Sequence, residues 1–163
     1  LKNYFNDDFF IYVHPGIPKD IELDALDLAV FAAEYEEFIV HNIDRLTTFN
    51  EINAPWVSQE FVETQRKTAW AEVPPIKFQP VWEPSLGYKE LNKMAGTYLD
   101  IALPGDALEE DTQLSTVTRS LSRQGTRFHI LGSVKPDNLR QVSAETASTM
   151  SWLSPMMNGE TIV

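Results

Sequence analysis

Asn50, Glu51, Glu83, Gly105, His129 and Ser133 are the residues of this chain whose types and positions best suit a site. Each falls at or near the end of a run with strand character. Glu51 and Glu83 follow apolar runs, and two carboxylates at neighbouring strand ends can serve as acid and base or hydrogen-bond the amidine-like edge of a purine. Solvated loop carboxylates are the plainer alternative. Pro104-Gly105-Asp106 ends a strand with backbone amides that a Cβ would otherwise crowd, which suits a carbonyl or phosphate oxygen and equally a plain turn. The histidines are His14, His41 and His129. His41 ends a helical stretch, where a cation is favoured. His129 lies in a strand of buried character, where a hydrogen-bonded core histidine is the plain reading and catalysis the sharper one. A metal site from His14 and His129 is the weakest of these alternatives, so no metal and no cofactor is expected. Together the strand-end groups offer carboxylate, amide and imidazole, a mixture that suits a planar hydrogen-bonding ligand such as a purine better than a phosphate, which would want cations. Arg119, Arg123 and Arg127 could meet a nucleic-acid backbone, against the alternative of a solvent-facing helix. The sequence contains no P-loop, no G-x-G-x-x-G, no H-E-x-x-H and no G-x-S-x-G.

These residues need a frame. Apolar or β-branched runs of strand length occur at Phe9–Val13, Thr47–Ile52, Ile76–Trp82, Tyr98–Leu103, Arg127–Leu131 and Thr149–Leu153. Helical patterns separate them. Leu23–His41 carries Leu26, Val30, Ala33, Phe38 and Ile39 at helical spacing. Ser58–Glu72 opens on a capping serine, Ser85–Met94 is shorter, and Glu109–Gln124 begins with three acids that suit the positive end of a helix dipole. Pro136 stands where a further first turn would begin. Strand and helix in alternation predict an α/β fold: a parallel sheet with crossover helices, as a partial or divergent β/α barrel of TIM type. The runs near Thr47, Ile76, Tyr98 and Arg127 are expected to be neighbours in one parallel sheet. In a barrel the strand ends converge on one mouth, where function sits.

With 163 residues the chain suits one α/β domain, residues 1–163, but a full eight-fold barrel needs roughly 200 residues or more. The expectation is therefore a fragment of a larger barrel, or a barrel that a protein partner completes; the start at Leu1 rather than Met points the same way. The net charge of −11 argues against an unaided nucleic-acid clamp. The charge is uneven: residues 1–60 are net −9, 61–114 net −4 and 115–163 net +2, so a polyanion contact would sit in the C-terminal third. There is no cysteine, which excludes disulfides, cysteine-ligated zinc or iron–sulfur sites and a thiol nucleophile. No run spans a bilayer and no signal-peptide pattern is visible, so membrane contact is not expected and a cytoplasmic location is.

Taken in order, the strand-end segments are Thr48-Phe49-Asn50-Glu51, Gln79-Pro80-Val81-Trp82-Glu83, Tyr98 to Gly105, Phe128 to Ser133, and Ser148-Thr149-Met150-Ser151-Trp152. This series resembles the tRNA-guanine transglycosylase superfamily, and its phage-associated, DNA-modifying branch more than the tRNA enzymes. The resemblance covers about residues 9–153. It implies a β/α barrel that exchanges guanine for a 7-deazaguanine in DNA or tRNA. Phe49-Asn50-Glu51 resembles a Phe-Asp-Glu segment whose aspartate recognises the base; Asn50 stands in that place, and its amide donates as well as accepts. Pro80-Val81 resembles a Pro-Val strand end, with Glu83 where a histidine is frequent. Ile101-Ala102-Leu103-Pro104-Gly105 resembles a turn whose amides hold the base carbonyl, with one N–H removed by Pro104. Phe128-His129 with Gly132 resembles a His-x-x-Gly strand.

The departures fall on the catalytic positions. The segment that resembles the nucleophile region, Ser148 to Trp152, has no carboxylate. Phe9 to His14 has none where the resemblance places an Asp-Ser-Gly. The zinc-binding cysteines of the tRNA enzymes are absent. Base exchange needs a carboxylate to attack the ribose C1′, and a hydroxyl from Ser148 or Ser151 is a poor substitute without an adjacent base. The resemblance thus implies shared fold more than shared chemistry: a transglycosylase-like protein impaired in catalysis that binds a purine, a 7-deazaguanine or nucleic acid. A non-enzymatic structural or interaction protein, such as a phage-type accessory component, is the alternative. A small-molecule enzyme using Glu51, Glu83 and His129 is a third reading.

Overall fold

The computed structural model describes residues 10–17, 22–110, 112–132, 139 and 142–148. They fall into two compact units, Leu1–Gln79 and Pro80–Val163. Each is a small parallel sheet with helices.

In the first unit the strands are β1 (Tyr12–Val13), β2 (Thr48–Asn50) and β3 (Phe78–Gln79), with α1 (Ala25–Asn42) and α2 (Gln59–Thr68) as the crossovers. The order is β1-β2-β3, every pair parallel, with Val13 opposite Phe49 and Asn50 opposite Gln79. Asp24 starts α1 by accepting from the backbone N–H groups of Leu26 and Asp27, both at 2.9 Å. Ser58 does the same for α2 through the N–H of Phe61. Arg66 and Lys67 end α2 on the side its dipole favours. Phe49 and Phe78 turn to the helical side and pack with Trp70, their ring centroids 4.8 Å and 6.1 Å from the indole. The Tyr35 ring meets Trp70 edge-on. The core face of α1 is Ala32, Tyr35 and Ile39. Of the apolar residues read at helical spacing, Ile39 is buried whereas Leu26, Val30 and Phe38 are exposed.

In the second unit the strands are β4 (Asp100–Pro104), β5 (Arg127–Leu131) and β6 (Thr146–Ala147), again parallel and in sequence order. Val81 adds a parallel bridge to Ala102 on the other edge of β4. Three helices join them: α3 (Gly87–Ala95), α4 (Ala107–Glu110) and α5 (Thr112–Ser122). Pro84 opens a short 3-10 turn before α3, and the Trp82 indole N–H is tied to the Gly87 carbonyl at 3.0 Å. Strand residues alternate sides. Ile101, Leu103, Phe128 and Ile130 face the helices, in a core with Leu91, Met94, Leu114 and Leu121. Burying each such side chain contributes about 1.5–3 kcal/mol.

The α/β class and the parallel pairing are as the alternation predicts. The single sheet is not: the strands form two three-stranded sheets, and among the described residues neither sheet closes into a barrel. Strands β1 to β4 are also shorter than their apolar runs, because backbone pairing needs a neighbour as well as propensity, whereas β5 matches its run. The run Ile76–Trp82 yields paired residues only at Phe78–Gln79 and Val81. The expected strand Thr149–Leu153 and the turn at Pro136 lie outside the described residues; β6 comes just before that strand. No helix among the described residues is long and apolar enough to cross a membrane.

Candidate functional site

At the C-terminal ends of β2 and β3, Asn50 and Gln79 stand opposite each other. Adjacent Phe49 and Phe78 turn to the helices, so these two amides turn away from them. The Asn50 Nδ2 donates to Gln79 Oε1 at 2.8 Å, and both residues are buried. The backbone carbonyl of Asn50 accepts from the Tyr35 hydroxyl at 2.7 Å, which joins α1 to the strand end. Burial pushes the Tyr35 phenol pKa well above its ordinary value. Gln79 carries no site signal of its own in the sequence; its pairing with Asn50 depends on register, which no local run of residues contains.

Glu51 follows Asn50 but points the other way. Its carboxylate is fully buried and accepts from Arg66 of α2 through both oxygens, at 2.6 and 2.7 Å. A bidentate arginine fork of this kind holds a carboxylate ionised and in place. In these positions Glu51 ties a strand end to a helix. Glu83 is half-buried, just ahead of the 3-10 turn, with its carbonyl accepting from the Leu86 N–H. The Gly105 N–H donates to the Leu131 carbonyl at 2.7 Å, so this amide extends the β4–β5 ladder. Ser133 lies outside the described residues, as do Ser151 and Trp152.

In the second unit His129 is buried on the sheet face turned away from the helices. Its Nδ1 lies 2.7 Å from Thr146 Oγ1 and its Nε2 lies 3.2 Å from Ser148 Oγ. Both hydroxyls come from the neighbouring strand, two residues apart and therefore on one face. Arg127 occupies the same face at the start of β5 and pairs with Asp100 of β4. Arg119 and Arg123 are exposed at the end of α5, so the three arginines are divided between a strand and a helix end.

Comparison with protein-family models, curated proteins and solved structures found no match to this chain. The residues themselves therefore carry the functional argument. His14 accepts from the Gly16 N–H through Nδ1 at 2.9 Å, a local turn. Among the described residues no three His, Asp or Glu side chains group to hold a metal ion. The chemistry on offer is amide recognition at the first sheet and a hydroxyl–imidazole–hydroxyl chain at the second.

Proposed function

We propose that the chain is a transglycosylase-like protein of β/α-barrel type that binds a purine or 7-deazaguanine base and performs no base exchange on its own. The observation that carries this reading is the Asn50–Gln79 amide pair at adjacent parallel strand ends. A planar base reaching those ends would exchange the amide–amide bond for bonds to its own donor and acceptor edge. Both amides are buried, so each such bond would form out of water, where a mismatch is costly. Sequence-ordered parallel strands in each unit are what a β/α barrel requires, and they support that architecture. Impaired exchange is supported by the lack of a carboxylate from Ser148 to Trp152 and by the Arg66 fork that engages both oxygens of the Glu51 carboxylate.

Titration calorimetry with guanine and a 7-deazaguanine tests the binding. Heat with either ligand, lost in Asn50→Ala, supports it; no heat with either ligand and a folded protein overturns it. Labelled guanine should not enter DNA or tRNA when the purified chain is the only protein present.

A non-enzymatic interaction protein is the second reading, favoured by the outer face of α1. Leu26, Val30 and Val40 are 72%, 52% and 60% exposed, opposite the face that packs on the sheet. A polypeptide neighbour, such as a partner completing a barrel, would cover them. That reading predicts no base binding.

A further inference from the structure

We propose that Ser148 is an activated nucleophile, with His129 as its general base and Thr146 as the residue that positions the imidazole, and that the chemistry is acyl transfer from an ester. Three side chains share one face of β5 and β6. His129 is 4% exposed, whereas Ser148 is exposed at the end of β6. A reactive hydroxyl needs that combination: the base is shielded from bulk water and the nucleophile is open to a substrate. The Ser148 Oγ lies 3.2 Å from Nε2, within the looser range of an unliganded nucleophile–base pair. Thr146 Oγ1, 2.7 Å from Nδ1, supplies the third member. With the proton on Nδ1 donated to Thr146, Nε2 carries the free pair that accepts from Ser148. The main chain fixes the geometry, because the Ser148 N–H donates to the Ile130 carbonyl at 2.8 Å, continuing the ladder past β6. The same carbonyl lies 3.4 Å from Ser148 Oγ and is the competing acceptor for the hydroxyl proton, at a longer distance than Nε2.

The reaction balances without a metal or redox partner. The Ser148 oxygen attacks the ester carbonyl carbon, the carbonyl π pair moves to oxygen, and the hydroxyl proton passes to Nε2. Collapse of the tetrahedral adduct expels the alkoxide, which takes that proton from the imidazolium and leaves as the alcohol. Water then attacks the acyl-serine by the same route, releasing the carboxylic acid and restoring Ser148. This activity is separate from base binding at Asn50 and Gln79 and stands or falls independently of it.

The test uses the full chain and two probes. A fluorophosphonate should form one covalent adduct on the peptide that holds Ser148, with loss of fluoride, and p-nitrophenyl acetate should give a burst of nitrophenolate. Ser148→Ala should abolish both, and Thr146→Val should slow labelling by roughly tenfold, a part of the roughly 10²–10⁴-fold that a positioned general base contributes. Circular dichroism confirms that each variant is folded. The chain has no cysteine, so Ser148→Cys introduces a single thiol. Its alkylation by iodoacetamide should outpace that of a small-molecule thiol by about tenfold, because an adjacent imidazole raises the thiolate fraction. Adding His129→Gln, if that double variant folds, should remove the advantage. A purely structural hydroxyl would show none of this. No adduct on the folded protein, an adduct that persists in Ser148→Ala, or a thiol at 148 no faster than the free one each overturns the proposal.

Discussion

Glu51 and Arg66 form a bidentate ion pair that joins the end of β2 to α2, with the Glu51 side chain fully buried and the Arg66 side chain 18% exposed. Removing one partner would leave a charge with little access to water. Arg66→Ala is expected to destabilise the first unit by about 3–5 kcal/mol. The double replacement Glu51→Gln with Arg66→Met should cost clearly less than that, since no charge is stranded. Urea unfolding followed by tryptophan fluorescence, with Trp70 in this core, measures both. A single-variant loss under about 1 kcal/mol would show the pair to be worth no more than a surface one.

Tyr35 links stability to alkaline pH. Its hydroxyl is hydrogen-bonded to the Asn50 carbonyl, and burial raises its pKa. The folded state therefore keeps a proton that the unfolded chain releases above its ordinary pKa of about 10. Stability from this group is complete below about pH 10 and declines as pH rises beyond it. Tyr35→Phe should cost about 1 kcal/mol near neutrality through the lost hydrogen bond and flatten the decline above pH 10. Denaturation curves of both proteins on either side of that pH decide it; parallel slopes would contradict the assignment.

Recognition at the amide pair has its own signature. Asn50→Ala should weaken guanine binding by about 1–3 kcal/mol, or roughly 5- to 150-fold in Kd. Asn50→Asp replaces a donor with a carboxylate and should alter which base edge is preferred. Calorimetry with guanine and a 7-deazaguanine reads both effects, and unchanged affinity in Asn50→Ala would remove this amide from the site.

Two glycines make a backbone test. Gly132, just past β5, has φ of +91° and no neighbour within 4 Å of an added Cβ. Gly132→Ala is therefore expected to cost about 1–3 kcal/mol through backbone strain alone. Gly96 caps α3 in a right-handed conformation, φ −77° and ψ −13°, with the nearest atom to an added Cβ at 3.4 Å. Gly96→Ala should be neutral or stabilising by up to about 1 kcal/mol, because it narrows the unfolded ensemble. Thermal unfolding of the pair gives the comparison, and equal effects would mean that φ is not the cause.

Much of the frame was legible in the sequence. Strand-length apolar runs alternating with capped helices dictate parallel strands with crossovers, since a short hairpin cannot return a chain through a helix. Ser58 marks where α2 begins because its oxygen satisfies an amide that the helix itself cannot, whereas α1, read from Leu23, starts after the Asp24 cap that the structure shows. Arg127–Leu131 was readable to the residue, with Phe128, Ile130 and Leu131 set between Gly125 and Gly132. The core face of α1 was harder. It is apolar on two opposite sides, and composition alone does not say which side a sheet will cover.

The sequence by itself determined the class of fold, the order of its elements and the small set of strand-end residues with chemistry to offer. Only the tertiary structure decided what those residues do. Asn50 and Glu51 are neighbours in sequence, yet one meets Gln79 across the sheet and the other meets Arg66 on a helix. Ser148 was a hydroxyl without a base until β6 paired with β5 and brought it to His129. Side chains alternate faces along a strand, so a shift of one residue in register exchanges every partner. That register is a contact between distant segments, and no local run of residues contains it.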